Sequence, residues 1–335
     1  MARYMIPLVV ALSLCFPRTA TADPTTLKLA FFSSDRSASY RAAVNPFLEA
    51  IAEGGDDLIR VEPHISGTLG RDLSQQPQLV IDGTADIAYV VPGMTRERFP
   101  DNAIVEMPGL YRDMREASLV FTRLIAANAL RGYEDFFVIG AFVTEPESIH
   151  SRTAIASLQD LRGKKLRVNN AAEAAALDKL GAVPVLLPVN RISDALSSGQ
   201  LDGALVPPSP LSDYGIKRIA TYHYMLGTGG APLLLLMNRK RFDSLPGEAQ
   251  ALIRRGSGEC AAERFIATYE AVESEIMRQL RSDPNRRVID PSQRDLQTAH
   301  AAFGSVLQEW VAISRHNDRL LRAAQLEIAR LRQSH

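Results

Sequence analysis

The sequence predicts an α/β protein built from two similar lobes, and three observations carry this. Strand-length apolar runs alternate with helix-period segments in two separate series, at about residues 27–91 and 136–206. The stretch from Gly83 to Val90 is echoed from Gly199 to Val206, with Gly, Asp, Ala and Val at the same offsets. The length, 335 residues, accommodates two domains of about 100–200 residues each.

In chain order, the first 22 residues read as an export signal. Arg3 supplies a positive start, residues 6–16 an apolar stretch, and Ala20-Thr21-Ala22 a cleavage site before Asp23. Cys15 follows Leu14, which is too bulky for a lipid-attachment signal, so a soluble mature chain is expected. Residues 27–32 then read as a strand. Residues 40–52 follow as a helix, with Val44, Phe47, Leu48 and Ile51 at helical spacing. A second strand spans 58–65. After the turn Ser66-Gly67-Thr68-Leu69-Gly70 come a helix at about 72–82 and a third strand at 85–91.

The second series opens with an apolar strand at 136–144. Residues 158–161 form a short helix ended by Gly163, 165–168 a strand, 171–180 a helix and 183–187 a strand. Asn190 is placed to cap a helix running to Ser198, and Gly199 to end it. The strand 204–206 is halted by Pro207, Pro208 and Pro210. The run Gly227-Thr228-Gly229-Gly230 suits a flexible crossing between lobes. Beyond it, 246–281 reads as helical from Pro246, a short strand lies at 287–289, and a last helical stretch runs from 292 to 332.

Composition excludes several function classes. Lys and Arg total 38 against 38 Asp and Glu, so no basic excess points to nucleic acid. Once residues 1–22 are removed only Cys260 remains, which rules out an internal disulfide and reads as a small core-facing residue. No G-x-S-x-G, H-E-x-x-H, C-x-x-C or G-x-x-x-x-G-K-[ST] motif is present, and the six histidines are scattered, so neither a cofactor nor a metal is expected. One basic residue stands out by position. Arg167 ends a strand, and Asn169 and Asn170 lead into the next helix; ligands of open α/β sheets bind off such strand ends. A guanidinium there offers a planar fork to a carboxylate.

The chain resembles the periplasmic substrate-binding proteins of tripartite ATP-independent (TRAP) transporters. The segments that carry this are H-I-S-G-T-L-G-R-D from His64, I-D-G-T-A-D-I-A from Ile81, E-M-P-G-L-Y-R-D from Glu106 and S-L-Q-D-L-R-G-K-K-L-R-V from Ser157. They continue with L-G-A-V-P-V from Leu180, A-L-S-S-G-Q-L-D-G from Ala195 and M-N-R-K-R-F-D-S-L-P from Met237. The resemblance implies a two-lobed, type II-like periplasmic binding protein with crossover strands and long C-terminal helices bridging the lobes. One lobe is expected from 23–144 plus 233–271, the other from 145–232 plus 272–335. It implies a periplasmic, monomeric carrier that binds a small carboxylate and hands it to the membrane subunits of a TRAP permease. The same fold used as a sensor, or with an ABC permease, stays open as an alternative.

By that resemblance the carboxylate clamp falls on Arg167. A second Arg, often found some twenty residues earlier in the family, has no counterpart, since Glu147 and Ser148 stand there. Where members often place an acid and an amide for ligand hydroxyls, this chain has Leu205 and Val206, followed by a matching Pro207. The expected ligand is therefore a monocarboxylate with an apolar or aromatic body. The candidate binding residues are Arg167, Asn169, Asn170, Tyr89, Val91, Val189, Leu205, Val206 and Pro207.

Overall fold

The computed structural model describes residues 24–55 and 58–333. The expected export signal lies outside the described residues. The chain forms β1 (Thr25–Ala30), α1 (Asn45–Gly55), β2 (Ile59–His64), α2 (Gln76–Ile81), β3 (Ile87–Val90), α3 (Met114–Ala126) and β4 (Phe136–Val143). It then crosses to β5 (Ser148–Ser151), β6 (Lys165–Val168), α4 (Ala171–Lys179), β7 (Val183–Leu186), α5 (Ile192–Ser197), β8 (Gly203–Val206), α6 (Pro208–Asp213) and β9 (Tyr222–Tyr224). It crosses back to β10 (Pro232–Asn238), α7 (Arg239–Asp243), α8 (Gly247–Arg255) and α9 (Glu259–Ser282), and ends with β11 (Arg287–Ile289), α10 (Gln293–Ala312) and α11 (Arg315–Gln333).

Two sheets result, in the orders β2-β1-β3-β10-β4 and β11-β9-β5-β8-β6-β7. Each holds one strand that arrives from the other half of the molecule. β10 lies antiparallel between β3 and β4, and β5 antiparallel between β8 and β9. β10 (PLLLLMN) is flanked on both edges and almost wholly buried, which explains its unbroken apolar run. β2 is an edge strand, the one place where Pro63 removes no ladder bond.

The internal echo is a real structural repeat. Gly83 and Gly199 take left-handed φ values of 73° and 77° and end α2 and α5. Two residues on, Ala85 N–H donates to Leu79 O (3.0 Å) and Leu201 N–H to Ala195 O (3.1 Å). Asp86 then accepts from Lys28 N–H (2.7 Å) and Asp202 from Lys165 N–H (2.9 Å). Each Asp thereby ties its turn to the parallel neighbour strand, at Lys28 within β1 in one lobe and at the first residue of β6 in the other.

The two crossing segments, 144–147 and 228–231, lie side by side. Thr144 N–H donates to Ala231 O (3.0 Å), Glu147 N–H to Gly229 O (2.8 Å) and Thr228 N–H to Glu147 O (2.9 Å). The glycines here permit close approach, not the flexible crossing expected. A Cβ on Gly230 would stand 2.4 Å from Thr144 O, and one on Gly229 2.8 Å from Glu106 O. A third connection is α9. At 24 residues it is about 36 Å long. Its first half packs on β4 and α3, where Phe265 stacks on Phe142 (4.4 Å), and its second half reaches α6 and β11.

The structure corrects several local expectations. Asn190 does not cap a helix: it sits inside a 3₁₀ turn, Val189–Arg191, that precedes α5. The helix expected over 246–281 breaks at Gly258 (φ 66°), and that over 292–332 breaks at Ser314, whose Oγ accepts from Asn317 N–H (3.1 Å). Cys260 is exposed on α9, not core-facing. α10 packs on α4 beside the second sheet, but α11 turns back onto α3. Leu320, Ala324 and Ile328 there join the first sheet's core, so residues 315–333 do not belong with the second lobe as expected.

Gly230→Ala should destabilise the fold by about 1–3 kcal/mol, the usual range for overpacking a tight site. A urea-unfolding midpoint equal to that of the parent chain would show that the crossing has room to adapt.

Candidate functional site

Four strand ends point at one another across the gap between the sheets. Phe32 lies just beyond β1, Val91 beyond β3, Asn169 beyond β6 and Pro207 beyond β8, and all four line a single cavity. It encloses about 540 Å³, part of it open to solvent. The same cavity takes Thr144, Glu147 and Ala231 from the crossing segments and Tyr269 from α9. Ala38 N–H donates across the gap to the Asp213 carboxylate at 3.0 Å, so the lobes stand closed.

Arg167, next to the last residue of β6, is only 3% exposed. Its Nε donates to Leu187 O (2.8 Å) and its Nη1 to Leu205 O (2.9 Å). These two carbonyls lie beyond β7 and within β8, the strands flanking β6, so the sheet itself aims the guanidinium. Nη2 has a long contact of 3.5 Å to Asn169 Oδ1. Burial pulls the Arg167 pKa down, opposed by the carboxyls of Glu147 and Glu173, and the guanidinium keeps its charge. Glu147 Oε2 lies 3.8 Å from Nη1. Burial first, then repulsion from Glu173, pushes the Glu147 carboxyl well up. Burial likewise raises Glu173 to about 7.

The remaining walls are mostly apolar. Phe32, Leu73, Val91, Met94 and Leu233 come from the first lobe, and Val189, Val206, Pro207 and Pro210 from the second. The Phe32 and Tyr89 rings lie 5.8 Å apart. Two of the hydroxyls around the cavity are already engaged. Thr144 Oγ1 donates to Glu145 O and accepts from Ala231 N–H, and Tyr269 shares a 2.6 Å hydrogen bond with Ser209. The Tyr89 hydroxyl is buried, with Ser39 as its neighbour in the cavity.

Of the residues expected from the sequence, Arg167, Asn169, Tyr89, Val91, Val189, Val206 and Pro207 line this cavity together. Two do not. The Leu205 side chain points into the second lobe's core, and only its carbonyl serves the site, by holding Arg167. Asn170 is fully buried and caps α4, its Oδ1 accepting from Glu173 N–H (2.9 Å). Sequence reasoning missed Phe32, which the strand-end rule would have found, and Tyr214 and Tyr269, for which no local pattern exists.

The profile of the family described as bacterial extracellular solute-binding protein, family 7 (DctP), matches residues 30–313. A solute-binding protein of Sulfitobacter sp. (strain NAS-14.1) is 22% identical over 249 residues, which cover 73% of this chain and 75% of that one. A TRAP solute-binding protein from an unidentified marine microbe, specific for aromatic acid ligands and crystallised with 3-hydroxybenzoate, superposes with a TM-score of 0.84. It is 25% identical, over 92% of this chain and 99% of its own. A TRAP solute-binding protein from Rhodoferax ferrireducens T118, holding copurified benzoate, gives 0.86 at 23% identity, with 92% and 99% covered. The family match spans both sheets and every strand end that meets at Arg167: the chain belongs to the extracellular solute-binding protein family 7, the substrate-binding proteins of TRAP transporters.

Proposed function

We propose that this chain is the periplasmic receptor for an aromatic or similarly apolar monocarboxylate, which it hands to the membrane subunits of a TRAP permease. It acts as a monomeric carrier and catalyses nothing. The observation that carries this reading is a buried guanidinium that is, among the described residues, the one cation lining the cleft, with Glu147 and Asn169 beside it and mostly apolar walls beyond. Arg167 supplies one cationic fork, so one carboxylate is neutralised. A second carboxylate would find no further cation among the described residues that line the cavity.

The walls argue for the body of the ligand. A hydroxyl left unpaired in a closed cleft costs about 1–3 kcal/mol, and a sugar acid brings several. Val206, Pro207, Pro210, Val91 and Phe32 offer such hydroxyls nothing, whereas an aromatic ring gains by burying its faces against them. The Tyr89 and Ser39 hydroxyls on the cavity wall accommodate one polar substituent on that ring. The marine protein specific for aromatic acids and the benzoate-binding Rhodoferax protein support the same class.

Closure follows from a ligand that touches both lobes, since it binds the closed form better and shifts the population. Arg167→Ala should weaken binding of benzoate by about 2–5 kcal/mol, the range for truncating a buried charge pair. Arg167→Lys keeps the charge and loses the fork, and should also bind clearly less tightly. Calorimetry on variants that retain the parent's circular dichroism reads both, and undiminished affinity in either one contradicts the clamp.

A thermal-shift panel tests the ligand class. Benzoate, hydroxybenzoates and phenylacetate should stabilise the chain by about 2.7 kcal/mol at a hundredfold excess over Kd. C4-dicarboxylates and sugar acids should do little. Strong stabilisation by succinate or gulonate, with none by the aromatic acids, would overturn the reading of Val206 and Glu147.

A further inference from the structure

The crossing from β4 to β5 puts the Glu147 carboxyl beside Arg167, at the place read above as the seat of the ligand's carboxylate. Glu147 stands against Arg167, and Glu173 in the first turn of α4 lies against both. Glu173 Oε2 accepts from Asn169 N–H at 2.9 Å. Glu106, in the loop before α3, adjoins Asn169, and a Cβ on Gly93 would lie 3.1 Å from its Oε1 and 3.7 Å from Asn169 Oδ1. These three carboxyls are 4% (Glu106), 1% (Glu147) and 0% (Glu173) exposed, and each has one oxygen without a hydrogen-bond partner.

The charges that face them do not balance. Glu147 meets Glu173, Arg167 and Glu106; Glu106 also meets Arg96, which is solvent-exposed, and adjoins Tyr133; Arg167 also meets Tyr214. One buried guanidinium thus stands among three buried carboxyls before any ligand arrives. A ligand carboxylate adds a fourth. Two facing carboxyls are compatible in a dry site when one keeps its proton and hydrogen-bonds the other, the arrangement of a shared-proton pair.

We propose that Glu147 works in its acid form as a hydrogen-bond donor to the ligand's carboxylate, so that the receptor captures its anion together with one proton. This rests on the reading of Arg167 as the carboxylate clamp. Glu147 lines the cavity, so opening the lobes hydrates it and favours its ionised form. Closing over an anion removes that water and adds a like charge, both of which favour the acid. The proton taken from solvent stays on the Glu147–Glu173 pair, where burial already raises Glu173 to about 7, and leaves when the lobes reopen. The sign is fixed: the bound state holds more protons, so affinity falls as pH rises. In the range where free Glu147 is ionised, Kd should increase by up to about tenfold per pH unit.

Calorimetry of benzoate binding near pH 7.5, in buffers of different ionisation heat, counts the protons directly. The parent chain should take up about one proton per benzoate. Glu147→Gln should take up almost none and bind with little pH dependence, and Glu106→Gln should keep the uptake. Zero uptake by the parent, or unchanged uptake in Glu147→Gln, overturns the proposal. Should Glu147→Gln fail to fold, Glu147→Leu, which keeps the bulk without a titrating group, takes its place and must also abolish uptake. A second readout needs no ligand: the infrared carbonyl band of a protonated carboxyl should persist in the mature chain at about pH 6, above the ordinary carboxylate range, and lose one component in Glu147→Gln. If that band behaves so and benzoate does not bind, the ligand class is wrong and the proton pair stands. If the band is unchanged in Glu147→Gln, the pair falls whatever binds.

Discussion

The buried guanidinium of Arg167 is the constraint on which the rest depends. A charged group 3% exposed must be partnered, because an unpartnered charge in a dry site costs several kcal/mol. Two of its partners are backbone carbonyls, of Leu187 beyond β7 and Leu205 in β8. Those carbonyls are in place only if β7-β6-β8 pair in parallel with the observed register. The third partner, Glu147, is in place only if the chain crosses between lobes at 144–147 and is pinned by the 228–231 segment. Site and crossing are thus one construction: the residue that stands against Arg167 is also the residue whose N–H and C=O zip the two crossings together.

The same economy appears in the two lobes. Gly83 with Asp86, and Gly199 with Asp202, end a helix and tie the turn to a backbone N–H of the neighbouring parallel strand. This fixes where β3 and β8 start, and hence which residues stand at their carboxyl ends. Val91 and Pro207, which face each other across the cleft, are positioned by the repeat rather than by contact with one another.

Much of this was legible. The apolar runs at 27–32 and 136–144 became β1 and β4 near their expected positions, their strand length deciding against a buried helix. Arg167 was legible because a strand end is a place where a sheet offers side chains to a ligand. β5 was not. Its residues Ser148, Ile149, His150 and Ser151 carry no apolar alternation, yet all are buried. They are satisfied by partners the sequence hides: His150 lies 2.8 Å from His223, and burial depresses the two imidazoles to about 3 and about 4, so both are neutral. α3 carried a signal that went unread, Asp113 capping Glu116 N–H at 2.8 Å. Leu205 misled, since its neighbours in sequence alternate across the sheet and only Val206 faces the cleft. Glu147 was visible only as a missing Arg. Its burial against Arg167 and Glu173 needs the crossing, which is a property of the assembled sheets.

The central claim is that Arg167 clamps the single carboxylate of an acid whose body lies on apolar walls. Diffraction from crystals of the mature chain grown with benzoate tests it most directly. The account predicts the carboxylate within hydrogen-bond distance of Arg167 Nη2 and of Glu147, with the ring between Phe32 and Val206. Benzoate bound elsewhere in the cleft, with Arg167 contacting only the Leu187 and Leu205 carbonyls, would contradict it.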